Sequence, residues 1–439
     1  MFAYYLSLAW RRCRQHLPMV LLLVLTMAVG IAACMTALTV FRALAGAPLP
    51  GVSPYLYVAT MDAREAVDKD NADYKQPDSL LKFADAKALV DAHRAVQQVA
   101  VAQSLTSLGN ADGRHSERAY GLMAYGPVLQ TFGVPLRYGR PWTPAEQAAN
   151  APVVVIDADL AQKLFGTQNA VGRSVTLGTH GFRVIGVSAP WNPRVLMFDV
   201  SHNQGTVLGQ PETFFVPAQA ALDAGVGPFL AGECGKDAPV VSFQSATVTQ
   251  CRWIETWLRL DTPAQVHGYA RFLAGYADLQ HAAGRFVHPP QARLYGTQDW
   301  LALNHVVPDD VHLNLLLAGG FLLLCLVNVA GLLAARFLRR QGDVAIRRAL
   351  GASIRAVFAQ HLVETGLLGL LGGVLALPLT ALGLWIVRMQ PVGYADAAHF
   401  SPAVFALLFA FSLGVGLLAG ILPAWRVCRQ PPALQIKLG

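Results

Sequence analysis

The sequence predicts a membrane α-helical protein with four transmembrane helices and a large α+β domain between the first and second. Three observations predict it. The 439-residue chain is 54% hydrophobic and 14% charged, and its mean hydropathy is +0.39, values that a water-soluble domain rarely combines. Four apolar stretches of about 22 residues are long enough to cross a hydrocarbon core of roughly 30 Å at 1.5 Å per residue. Arginines gather at one set of span ends and not at the other, which is the signature of a positive-inside topology.

Residues 1–17 read as an interfacial helix. Phe2, Tyr5, Leu6, Ala9 and Trp10 share one face, and Arg11, Arg12 and Arg14 turn toward head groups. Span one, 18–42, carries no charge from Met19 to Phe41. Its apolar core exceeds the roughly 7–15 residues of a signal peptide, so it reads as an uncleaved anchor. Residues 43–310 alternate strand and helix patterns. Pro54–Thr60 alternates as a strand, Asp78–Ala92 has helical spacing with Asp78 or Ser79 as cap, and Val96–Leu105 reads as a strand. Val153–Ile156 is a strand running into a short helix with Asp157 as cap and Gly166 as stop. Ser174–Leu177 and Phe182–Val187 flank Gly178–Gly181 as a hairpin, and Thr262–Ala282 is a longer helix. Span two follows at 311–337, a short basic segment at 338–356, span three at 357–388, a loop at 389–401, span four at 402–425 and a tail at 426–439.

The N-terminal tail, the segment between spans two and three with the start of span three, and the C-terminal tail together hold twelve cations against Asp343 and Glu364. The region from Arg42 to His312 holds 21 cations and 24 anions. Both termini are therefore expected in the cytoplasm and the large domain outside. The basic balance belongs to membrane topology and argues for no nucleic-acid partner.

Only Cys234 and Cys251 fall in the outer domain. Two cysteines 17 apart in an oxidising compartment predict one disulfide, which would contribute roughly 3 kcal/mol in the chain-entropy model. Neither has metal-ligand spacing to a histidine, and no metal or cofactor is expected. Catalytic signatures are absent as well. There is no Gly-x-Ser-x-Gly and no His-Glu-x-x-His. Of seven lysines only Lys236 follows a glycine, and Asp237 comes next, so the chain has no P-loop. The expectation is a non-catalytic subunit.

The basic segment is the sharpest functional candidate: Arg339-Arg340-Gln341-Gly342-Asp343-Val344-Ala345-Ile346-Arg347-Arg348-Ala349-Leu350-Gly351. Apolar anchors (Val344, Ile346, Leu350) mixed with Arg347 and Arg348 suit helix-in-groove docking on a soluble partner. The segment resembles the coupling region of FtsX/MacB-type permeases. A second set of residues carries the same resemblance: Phe132-Gly133-Val134-Pro135, Gly139-Arg140-Pro141-Trp142-Thr143 with Glu146, Leu164-Phe165-Gly166, Val171-Gly172-Arg173 and Phe182–Val187, in that order. This looks like the MacB-type periplasmic core domain, and Gly420–Arg426 extends the likeness to the C-terminus.

The resemblance implies a bacterial inner-membrane ABC permease with an inserted subdomain near 125–250. Asp343, Val344, Ile346, Arg347, Arg348, Leu350 and Gly351 would couple to a separate ABC ATPase. Relatives often carry Glu where this chain has Asp343. A second permease, as a homo- or heterodimer, is implied, and a periplasmic adaptor and outer-membrane channel if the role is efflux of a peptide, antibiotic or similar compound. Lipoprotein release and FtsX-type regulation of cell-wall hydrolases are the alternatives. In the spans, Gly369/Gly373 and Gly416/Gly420 have the small-xxx-small spacing that lets helix backbones approach. Glu364 and His361, near the start of span three, read as structural, with Glu364 pairing to a nearby arginine.

Overall fold

The computed structural model describes residues 11, 14, 17–63, 79–110, 112–191, 193, 197–198, 200, 211–229, 251–287, 291–307, 309–339, 346, 353–389, 402–407, 409–410, 413–414 and 417. The chain divides into two compact units, Met1–Ala45 with Val307–Gly439, and Gly46–Val306.

The 46–306 unit is built on one 11-stranded sheet. The strands are β1 Leu56–Met61, β2 Leu80–Leu81, β3 Gln97–Asn110, β4 Ser116–Tyr125, β5 Leu136–Gly139, β6 Val153–Asp157, β7 Ser174–Leu177, β8 His180–Ser188, β9 Phe214–Pro217, β10 Ile254–Arg259 and β11 Ala292–Gly296. They lie in the order β11-β1-β10-β3-β4-β9-β6-β8-β5, with β2 on β10 and β7 bridging β3 and β8. The long β3–β4 hairpin holds the centre over ten register pairs, from Ala100↔Tyr125 to Gly109↔Ser116. Its turn is set by Asn110, whose Oδ1 accepts from the Arg114 and His115 amides at 3.0 and 3.2 Å. The strands contributed by 125–250 form one end of the sheet. They join the rest where β9 pairs parallel with β4, Gly121↔Phe214 through Ala124↔Pro217, and where β7 pairs antiparallel with β3, Leu108↔Leu177 through Asn110↔Val175.

Local chemistry explains most elements. Asp157 Oδ1 accepts from Leu160 N at 2.6 Å and starts the helix Ala158–Phe165, which ends on Gly166 at φ +69°. Thr262 and Gln265 form a capping box that opens the helix Pro263–Ala282. The residues between β5 and β6 form a second such device. Thr143 and Glu146 form a capping box, and Arg140 grips both oxygens of Glu146 at 2.7 Å. That grip, with the Thr143 amide, holds the Glu146 carboxyl down at about 2. Gly139 has φ +73°, and a Cβ there would collide with the Ile185 carbonyl.

Two of the predicted elements differ. The helical spacing of 78–92 begins too early: Leu80–Leu81 is a strand paired with β10 (Ile254↔Leu81, Glu255↔Leu80), and the helix spans Phe83–Asp91. Ser79 is no cap, because its hydroxyl donates to buried Glu255 at 2.7 Å. Two adjacent leucines serve a buried strand as well as a helix face, and an acceptor on a distant strand decided between them. Likewise Ser53–Tyr55 is a 3₁₀ turn with Pro54 in its first positions, and β1 begins at Leu56.

The core on one side of the sheet includes an aromatic cluster. Phe132 meets Phe198 at 5.0 Å and Trp257 at 6.1 Å between ring centroids, Phe198 meets Trp257 at 5.9 Å, and Trp191 meets Phe215 at 5.9 Å. These edge-to-face contacts bind residues of the 125–250 stretch to Trp257 on β10.

The other unit consists of long helices. Among the described residues, three are apolar and long enough to cross a membrane: Leu17–Ala45, Asp309–Ala335 and Phe358–Arg388. They are spans one, two and three below. Span three belongs to a helix Ile354–Arg388 whose N-cap, Ser353, accepts from the Ala356 amide at 3.2 Å. The expected fourth span and both flanking tails lie largely outside the described residues; 402–407, 409–410, 413–414 and 417 are helical.

Candidate functional site

Of the expected coupling residues, Ile346 is helical and 56% exposed. Asp343, Val344, Arg347, Arg348, Leu350 and Gly351 lie outside the described residues. So do most of the interfacial helix, Gly416 and Gly420, and Cys234. Cys251 is fully buried and disulfide-bonded.

The glycines give the helical unit its geometry. A Cβ on Gly369 would stand 2.8 Å from Leu413 Cδ1, one on Gly373 would enter the Phe409 ring, and one on Gly366 would meet Leu417 Cδ2 at 3.6 Å. Partner numbers fall as the glycine numbers rise, so the described helical residues 409, 413 and 417 run antiparallel to span three. The predicted pair Gly369/Gly373 thus seats against 409 and 413. Another row on span three faces span one: Gly372 against Met27 Cβ at 3.0 Å and Gly383 against Thr36 Oγ1 at 2.5 Å. Here the numbers rise together, so spans one and three are parallel. Span two runs opposite to span one, with Gly30 against Cys325 Cβ at 3.0 Å and Phe41 edge-on to His312 at 5.2 Å. The four-residue spacing predicted the first row. Gly30 and Gly383 were missed. The signal that could have found the second row is the eleven-residue interval from Gly372 to Gly383, three turns at 3.67 residues each.

Among the described residues of spans one to three, polar side chains are few. Thr26 and Thr36 donate to the carbonyls of Leu22 and Ala32 one turn back, at 2.7 and 2.8 Å. Glu364, with Gln360 and Thr365, is buried and engaged in interactions at the basic end of span three. A cavity of about 480 Å³ among spans one to three is lined by apolar side chains together with Thr36 and Asn314. Such a lining offers a hydrophilic solute few partners.

Three buried carboxylates of the 46–306 unit are each matched to a donor. Glu255 accepts from Ser79 and from Trp257 Nε1 at 3.1 Å. Asp85, fully buried, accepts from Tyr276 OH at 2.7 Å and from Arg285 at 2.8 Å. Glu212 accepts from Gln103 at 3.2 Å, and burial pushes its carboxyl up to about 7.

Glycine-packed apolar helices with an α+β domain between the first and second define an integral membrane protein of the permease class. The profile of the MacB-like periplasmic core domain matches residues 20–266, and that of the FtsX-like permease C-terminal domain matches 315–432. The chain belongs to the MacB-like, FtsX-like family of ABC transporter permeases. It is 24% identical over 80% of its length to the macrolide export ATP-binding/permease protein MacB 1/2 of Paracoccus denitrificans. It is also 24% identical over 97% of its length to MacB of Salmonella typhimurium. The chain spans 47% and 59% of those two proteins. Among solved structures, the periplasmic region of MacB from Actinobacillus actinomycetemcomitans aligns with 57% of this chain and 92% of its own, at 16% identity and a TM-score of 0.36.

Proposed function

We propose that this chain is the membrane subunit of an ABC machine that does its work outside the bilayer. A separate ATPase docks on the 338–356 segment, where Val344, Ile346 and Leu350 enter an apolar groove and Arg347 and Arg348 meet acidic rims. Both termini face the cytoplasm, as the arginine distribution requires. A second permease completes a two-fold assembly. Closure of the ATPases tilts the coupling segment, and the packed spans pass that motion to the periplasmic domain. The client is a peptide, antibiotic or similar compound to be exported, with an adaptor and outer-membrane channel beyond. Cys234 is the partner of disulfide-bonded Cys251.

The observation that carries this reading is the bundle interior. Its helices approach closely at glycines beside Met27, Leu413 and Phe409, and its cavity is lined mainly by apolar side chains, with Thr36 and Asn314 as the polar ones. That construction favours a stiff lever over a hydrophilic conduit. The test is affinity purification of the tagged chain from membranes in mild detergent. A P-loop ATPase should co-purify, and Arg347→Glu/Arg348→Glu should reduce its recovery at least tenfold. An intact, folded chain that brings no ATPase would overturn the reading.

A further inference from the structure

Spans one, two and three close on one another toward one end of the helical unit and part toward the other. At the basic end, Leu23 and Met27 of span one, Val329 and Leu333 of span two and Leu368 of span three are buried in one cluster. The next layer holds Ile31, Leu322 and Ala376. Beside and beyond it lies the cavity of about 480 Å³. Its floor is span one, from Val29 to Val40. Its walls are the start of span two, from Val311 to Ala318, and the end of span three, from Leu379 to Val387. Pro378 sits inside the span-three helix just before that wall begins, and a proline there removes one backbone bond and bends the axis.

Length and chemistry define the occupant. The helix from Val29 to Val40 rises about 16 Å, one leaflet's share of a hydrocarbon core of roughly 30 Å. Along that length the lining is apolar. Ala33 and Ala37 leave room on the floor, and Leu382 and Ile386, half exposed, form one wall. The polar groups are graded toward the end of the groove. Thr36 is satisfied by the Ala32 carbonyl. Asn314 is exposed, and its side-chain amide makes no hydrogen bond among the described residues. It stands about 8 Å inward from Asp309, where the span-two helix starts. At the same end Arg42 lies in the last turn of the span-one helix and Arg388 in the last turn of the span-three helix, both exposed. Cations, then an amide, then an apolar trough match a phosphate, an ester carbonyl and an acyl chain in that order. Asp309 and Asp310 at the start of span two suit a head group that also carries an amine. An apolar helix laid in the groove would match its walls but leave the Asn314 amide facing hydrocarbon, an unpaired donor.

We propose that this groove binds one acyl chain of an amine-bearing phospholipid from the leaflet at the Ala45 end of span one. Asn314 donates to the ester carbonyl, and Arg42 and Arg388 flank the phosphate. The lipid completes the packing where the spans part. This site stands independently of the ATPase docking proposed above.

The experiment is native mass spectrometry of the full chain, with any ATPase that co-purifies, extracted in mild detergent. It is titrated with palmitoyl-oleoyl phosphatidylethanolamine or with the diacylglycerol of the same chains. The wild type should hold one phosphatidylethanolamine per chain through detergent exchange, and diacylglycerol about tenfold more weakly, because it lacks the phosphate. Ala37→Trp, which fills the floor, should cut retention about fivefold or more. Leu382→Trp should do the same from the half-exposed wall, and serves alone should the first variant fail to fold. Asn314→Leu should weaken both lipids about threefold. Arg42→Gln should weaken phosphatidylethanolamine about threefold and leave diacylglycerol unchanged. Leu324→Trp, on the exposed face of span two outside the cavity, should change nothing. Retention untouched by both groove tryptophans, or lost equally in Leu324→Trp, would mean surrounding bilayer lipid only and would overturn the proposal. A photoreactive side chain at Leu382 that captures a second copy of the chain in place of lipid would overturn it too. A folded chain that holds the lipid and brings no ATPase would support the groove and overturn the proposed function alone.

Discussion

The periplasmic domain and the helical unit are held together by different physics. In the domain, three buried carboxylates are matched to partners distant in sequence: Ser79 to Glu255, Tyr276 and Arg285 to Asp85, Gln103 to Glu212. Rings from four segments interlock around Trp257. In the helical unit, the Thr26 and Thr36 hydroxyls of span one bond their own helix, and close contacts are made at glycines. Large apolar side chains such as Leu316, Leu317, Leu323 and Leu324 lie exposed on span two. Solvent explains the contrast. Water drives apolar groups together, so a water-soluble domain can afford directional polar bonds within an apolar core. Lipid tails are as apolar as leucine, so helices associate through the closeness of their backbones.

Three experiments would break or sharpen that contrast. The largest effect is expected from Trp257→Ala. It empties the centre of the aromatic cluster and removes the indole donor from Glu255, and should destabilise the domain by about 3–5 kcal/mol. Thermal melts of the full chain should show a lower domain transition while the helical transition is unmoved.

Glu212 tests the cost of polar burial. Its folded value of about 7 lies above its ordinary 4.5, so the folded state holds the proton more tightly than the unfolded state does. The sign follows: the penalty is absent below about pH 4.5 and grows until pH passes about 7. Domain stability should therefore fall by the order of 2–3 kcal/mol between those limits. Glu212→Gln, which keeps the acceptor for Gln103, should flatten that slope and raise the melting temperature at pH 8.

The third effect is confined to the helices. Gly373→Leu should destabilise the bundle by about 1–3 kcal/mol, because Phe409 occupies the space. On span two a Cβ at Gly331 would meet nothing within 4 Å, and Gly331→Leu should be neutral. Size-exclusion profiles of detergent-solubilised protein after heating would separate the two. Equal sensitivity would remove the glycine-contact account.

Short-range signals were legible in the sequence. The Asp157 cap with the Gly166 stop, the Ser174–Leu177 hairpin arm and the Thr262 helix start appear where local residues place them. So does the Gly369/Gly373 row, because a four-residue interval repeats on one helix face. Signals that depended on remote partners were not. Leu80–Leu81 became a strand because β10 offered a free edge, and β11 carries no strong alternation of its own. At the candidate site, Ile346 could be named from its amphipathic surroundings, whereas Gly383 gained meaning only from Thr36.

What the chain determined by itself is the division of labour: apolar length and arginine placement mark what meets lipid, and caps and turns mark the local elements of the domain. Both depend on residues close in sequence and on the solvent each segment meets. Only the tertiary structure decided that β1 and β11 close on each other and that two glycine rows face different helices. It also decided that Glu212 is buried beside Gln103. Each of these depends on which distant groups share a boundary, and no local interval in the chain encodes that.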